Sequence, residues 1–192
     1  PIIDGNAIDN PASPGLAASI DNRELDGKGL EYDQVVVKTL IGALCLDQVV
    51  NAYLSPTKLN VDNTDRSEGH TAMEHHGDEG FGYVYCKFGP ENAEGDLSTD
   101  GLLGKYVNKA GFETEKEAIF NAFVSCRESI VYMNYEERDA QAAIIKQTLS
   151  KVVAQKAVDY LEGAAEDVAS LNADYFHGLS EGYGFIVSLQ FT

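Results

Sequence analysis

Two short segments hold the residues best suited to chemistry. His75-His-Gly-Asp-Glu79-Gly-Phe-Gly-Tyr-Val84 and His177-Gly-Leu-Ser-Glu181-Gly-Tyr-Gly-Phe-Ile186 align over ten positions without a gap, 102 residues apart. Four positions are identical (His, Glu, Gly, Gly), two exchange Phe with Tyr, and one exchanges Val with Ile. A His and a Glu four residues apart share one face of a helix. Two imidazoles and two carboxylates brought together form a donor set for Fe, Zn or Mn, of the kind helical bundles build in their interiors. The expected metal ligands are therefore His75, His76, Glu79, His177 and Glu181. Glu74 and Asp78 stand beside them as candidate outer partners. The bland alternative is that each His–Glu pair only satisfies buried polar groups and fixes helix register. Met73, Phe81, Tyr83 and Phe185 read most simply as core.

A site of this kind needs helices to carry it, and the chain supplies them. Residues 32–54 place Val36, Val37, Leu40, Ile41, Leu44, Val49 and Tyr53 on a helical stripe that Ser55-Pro56 ends. Thr71 and Glu74 have the spacing of a capping box, so a helix is expected to start there and present His75, His76 and Glu79. Thr114 with Glu117, and Asn134 with Glu137, predict two further starts. A last helix is expected over 166–190, with its apolar end FIVSLQF read as helix rather than strand. The glycines at 77, 80 and 82 weaken the first motif helix, at about 1 kcal/mol each relative to Ala, unless they serve close packing. The expected fold is all-α, a bundle of about five helices with long loops, in two pseudo-symmetric halves of about 32–88 and 114–192. Residues 1–31, rich in Gly, Pro, Asn and Asp, read as an extended arm or linker to a helical domain over 32–192.

Composition narrows the function. The chain has 192 residues and a net charge of −17, a field that repels phosphate backbones and anionic lipid. Nucleic acid is thus not an expected partner, and no transmembrane segment or secretory signal is read from the sequence. Cys45, Cys86 and Cys126 make an odd set without a CxxC pair, so neither a disulfide framework nor a thiolate zinc site is indicated, although one disulfide remains open. HHGDE is not HExxH, and no G-x-S-x-G elbow, P-loop or dinucleotide fingerprint is present. A His–Glu general base would have no visible nucleophile to serve.

The stretches YDQVVVKTLIGALCLDQVVNAYL, TAMEHHGDEGFGY, AIFNAFVSCRESIVYMNYEERDAQAAIIKQTLSKVVAQKAVDYL and HGLSEGYGFIVSL resemble, in order, a bacterial envelope family catalogued as a domain of unknown function. That family is similar to the imelysin-like proteins, helical bundles of the periplasm or cell surface linked to iron uptake and marked by Gly-x-His-x-x-Glu. Here His76-Gly-Asp-Glu79 supplies His-x-x-Glu, with Glu74 where the pattern has Gly. The resemblance implies an imelysin-like fold, a periplasmic or surface location with the export signal removed ahead of Pro1, and metal handling, plausible partners being a metal ion or complex, other envelope proteins or a second copy. The function expected is a non-enzymatic envelope binding protein that holds a metal ion, iron by preference. Its rival is a structural or assembly protein in which the His–Glu pairs only lock the helices. A third reading is a hydrolase acting through a bound water.

Overall fold

The structure is a computed structural model that describes residues 18–20, 23–85, 101–169 and 172–192. It is all-α apart from one short hairpin, β1 (Ala18–Ile20) paired antiparallel with β2 (Arg23–Leu25). Five long helices are described. They are α1 (Tyr32–Tyr53), α3 (Ala72–Tyr85), α5 (Glu113–Val131), α6 (Tyr135–Glu166) and α7 (Ala173–Ser188). Two short ones, α2 (Pro56–Leu59) and α4 (Leu103–Val107), lie between them. Cys86 and most of the Gly-rich stretch after it fall outside the described residues.

The chain folds as two compact units, one of Pro1–Leu40 with Ala154–Gln190, the other of Ile41–Val153 with Phe191–Thr192. In the first, the hairpin leads into a turn organised by Asp26, whose carboxylate accepts from the Lys28 and Leu30 N–H groups and the Tyr32 hydroxyl. Burial pulls the Asp26 carboxyl upward, but these donors outweigh it and hold the group below its ordinary value. Gly29 completes the turn at φ 84°, and a side chain there would stand 2.7 Å from the Phe176 ring. Helix α7 lies against the start of α1 at unusually close range. A Cβ on Gly184 would meet Lys38 Cβ at 2.6 Å and the Val35 carbonyl at 2.9 Å. Ser188 fastens the same contact by donating to the Lys38 carbonyl at 2.6 Å.

In the second unit α3 is seated between the last turns of α1 and helix α5. A Cβ on Gly80 would meet Tyr53 Cβ at 3.4 Å, and one on Gly77 would meet Ile130 at the same distance. Phe81, Tyr85, Phe120 and Phe123 form a ring cluster beside it, with Phe81 stacked on Tyr85 at 4.4 Å. Helix α3 starts as its sequence predicts. Thr71 Oγ1 accepts from the Glu74 N–H, and Glu74 Oε2 accepts from the Thr71 N–H at 2.8 Å. Asn134 likewise caps α6, following Met133, which holds φ 58° in the tight turn out of α5. Helix α5 departs from expectation: Phe112, not Thr114, precedes it without a side-chain cap, and the Gly111 N–H donates to Glu113 instead.

Helix α1 holds the larger surprise. From Ile41 its turns widen to π type, over Ile41–Leu46 and Gln48–Tyr53. A π turn closes i to i+5, so residues four to five apart share a face. Ile41, Cys45, Leu46, Val49, Val50 and Leu54 are buried, while of the expected stripe Val36, Val37 and Leu40, in the α-helical part before the π turns, and Leu44, within them, are exposed. By length and composition α1 is able to cross a bilayer; Ile41, Leu46 and Val49 are enclosed in protein, whereas less than half of the helix's apolar window is buried.

Candidate functional site

The two copies of the motif lie in different units: His75, His76 and Glu79 in the second, His177 and Glu181 in the first. Each therefore has surroundings of its own.

In the α3 copy the side chains face outward. His75 is 53% exposed and its Nε2 lies 3.6 Å from Glu79 Oε2, itself 36% exposed. The Tyr53 hydroxyl reaches the other Glu79 oxygen at 3.4 Å, and burial together with that carboxylate pushes the Tyr53 hydroxyl above its ordinary value. His76 turns elsewhere. Its Nδ1 donates to the Lys58 carbonyl at 2.9 Å and its Nε2 accepts from the Lys58 ammonium at 3.3 Å. His70, in the turn before α3, places its ring 4.9 Å from that of His75. Glu74 and Asp78 are held by arginines: Arg66 and Arg127 on Glu74 at 2.6 and 3.0 Å, and Arg127 on Asp78 at 2.9 Å. Burial pulls the Glu74 carboxyl upward, but the Thr71 N–H and the two guanidiniums outweigh it and keep the group below the usual carboxylate range.

In the α7 copy the same residue types are enclosed. Glu181 is 8% exposed, and its two oxygens meet the Lys38 ammonium at 2.7 Å and His177 Nε2 at 3.3 Å. His177 Nδ1 faces Glu31 at 2.6 Å, with the Arg23 guanidinium against the same edge and 3.4 Å from Glu31. Glu31 reaches this point because the Asp26 turn delivers it there and the Ser180 hydroxyl accepts its backbone N–H at 2.9 Å. Lys38 reaches Glu181 because Gly184 lets the backbone of α1 come so close. Two carboxylates and two cations thus surround one imidazole in balance.

A dication beside His177 would compete with Lys38 and Arg23 for the carboxylates they already pair with. His75 and Glu79 have no such cation between them. Among the described residues, no three or more His, Cys, Asp or Glu side chains converge to hold a metal as they are placed. The repeat does not announce Glu31, Arg23 or His70. Lys38, a cation in an otherwise apolar stretch of α1, is the one partner with a signal in the sequence.

One family model, described as Domain of unknown function (DUF4856), matches residues 3–192. The chain belongs to that family. No curated protein and no solved structure matches it. The match covers both units, so the outward copy and the enclosed copy of the motif both lie within the DUF4856 domain.

Proposed function

We propose that the chain is a non-enzymatic binding protein of the cell envelope, imelysin-like in fold, which holds a transition-metal ion at its outward-facing His75–Glu79 copy. The His177–Glu181 copy serves as an internal lock between α1 and α7. The observation that carries this reading is the contrast in partners: Glu181 is enclosed and neutralised by Lys38, whereas His75 and Glu79 stand open to solvent. Iron, zinc and manganese all suit an imidazole with a carboxylate. The envelope location rests on the resemblance of the ordered stretches quoted above.

The test is elemental analysis of protein purified natively without chelators, alongside His75→Gln and His177→Gln. A near-stoichiometric metal that persists in His177→Gln and disappears in His75→Gln is the expected result. Wild-type protein that takes up no iron, zinc or manganese at micromolar concentration overturns the metal reading. The balanced charges around His177 favour a second reading, a structural or assembly protein in which both pairs serve packing alone. It predicts metal-free protein throughout, with stability lost in His177→Gln.

A further inference from the structure

Resting on the reading of His75 as a metal-facing residue, we propose that His70 is its partner ligand, and that the two imidazoles take a borderline divalent ion such as Zn²⁺ rather than Ca²⁺ or Mg²⁺. The ring centroids of His70 and His75 are 4.9 Å apart and tilted by 49°. Two imidazoles on one tetrahedral ion, bound at ordinary metal–nitrogen lengths, have centroids about 5 Å apart. The ring spacing is thus compatible with a chelating pair.

The hydrogen bonding of His70 suits that role. Its Nδ1 lies 3.2 Å from the Glu68 carbonyl, an acceptor that in the neutral ring favours the tautomer with Nδ1 protonated and Nε2 available to a metal ion. His76, though adjacent to His75, has both ring nitrogens committed to Lys58, so the ligand pair skips it. His70 is set in place by the turn at Gly69, whose φ of 86° a residue with a side chain rarely adopts. From 62 to 79 the chain carries six acidic residues and one basic residue, Arg66, a local field that concentrates cations. Glu79 lies 3.6 Å from His75, adding a carboxylate beside the pair. As placed, these side chains do not close into a set of three. A two-imidazole chelate needs only His70 and His75, and nitrogen donors of this kind select against the hard, oxygen-seeking Ca²⁺ and Mg²⁺.

The test is calorimetric titration of the full chain with ZnCl₂, for wild type and the single variants His70→Gln, His75→Gln, His76→Gln and His177→Gln. One Zn²⁺ per chain is expected, weakened at least about tenfold by His70→Gln and by His75→Gln and unchanged in the other two. Millimolar Ca²⁺ should not compete. Imidazole ¹⁵N spectra of the wild type provide a readout free of mutation: Zn²⁺ should move the resonances of His70 and His75 and leave those of His76 and His177 in place. If His75→Gln loses the ion while His70→Gln binds as wild type, the role of His70 is overturned and the metal reading of His75 stands. If wild type binds no Zn²⁺, Fe²⁺ or Mn²⁺, both are overturned.

Discussion

The same four residues, His, Glu, Gly and Gly, end in opposite circumstances in the two copies of the repeat. In α7 the second glycine admits the backbone of α1, the approach delivers Lys38, and Lys38 closes over Glu181. In α3 the corresponding Gly82 meets nothing within 4 Å among the described residues, and His75 and Glu79 keep to the surface. A motif fixes which groups share a helix face. What those groups do is fixed by the element that crosses that face.

The comparison can be broken most forcefully at Lys38. Lys38→Met leaves Glu181 enclosed without its ammonium and should cost about 3–5 kcal/mol, whereas Lys58→Met beside His76 should cost under about 1 kcal/mol. Urea denaturation midpoints of the two variants would show it, and equal losses would mean that the enclosed pair is not special. The glycines come next. Gly184→Ala drives a methyl into Lys38 and the Val35 carbonyl, for a loss of about 1–3 kcal/mol. Gly82→Ala in open space should instead gain about 0.5–1 kcal/mol, because Ala is the better helix former. Opposite signs in one pair of thermal melts would sharpen the contrast considerably.

Replacing the imidazoles should give a smaller difference. His177→Gln disturbs two carboxylate contacts and is expected to cost about 1–3 kcal/mol, while His75→Gln stays within about 0.5 kcal/mol. The smallest effect concerns acid. Glu74 titrates below its unfolded value, so its contribution is present above that value and fades as pH falls through the lower folded one. Stability measured from pH 6 downward should thus fall through and below the ordinary carboxylate range in wild type, and fall less steeply in Glu74→Gln.

Much of this arrangement is legible in the residues. The Thr71–Glu74 box, the Asn134 cap and the helical reading of FIVSLQF all follow from local chemistry, and the structure has each of them. Local chemistry misleads where longer-range packing takes over. The expected core stripe of α1 is buried only in part: Ile41 and Val49 are enclosed, whereas Val36, Val37, Leu40 and Leu44 are exposed, because burial depends on which elements pack against α1 and not on its apolar periodicity alone. Thr114 has a capping spacing, but the N-cap position falls two residues earlier, at Phe112. The short helix α4 buries Leu103, Tyr106 and Val107 inside a stretch whose glycines suggest loop. The candidate site divides in the same way. His75–Glu79 and His177–Glu181 are visible as pairs because their spacing is local. Glu31 is not, and Lys38 shows only as a lone cation in an apolar stretch, because they meet the second pair from 146 and 143 positions away along the chain.

The turn that carries Met133 has a further consequence, for oxidation chemistry. The chain has two methionines: Met133 stands 55% exposed on its left-handed turn, and Met73 is 3% exposed with its sulfur against the Arg138 guanidinium. Mild peroxide should therefore convert Met133 to the sulfoxide promptly and spare Met73 for as long as α3 stays closed. The first added oxygen, read by mass spectrometry, registers reagent dose, and the second clocks how often the α3 unit opens, so the molecule carries both the standard and the probe for timing its own breathing.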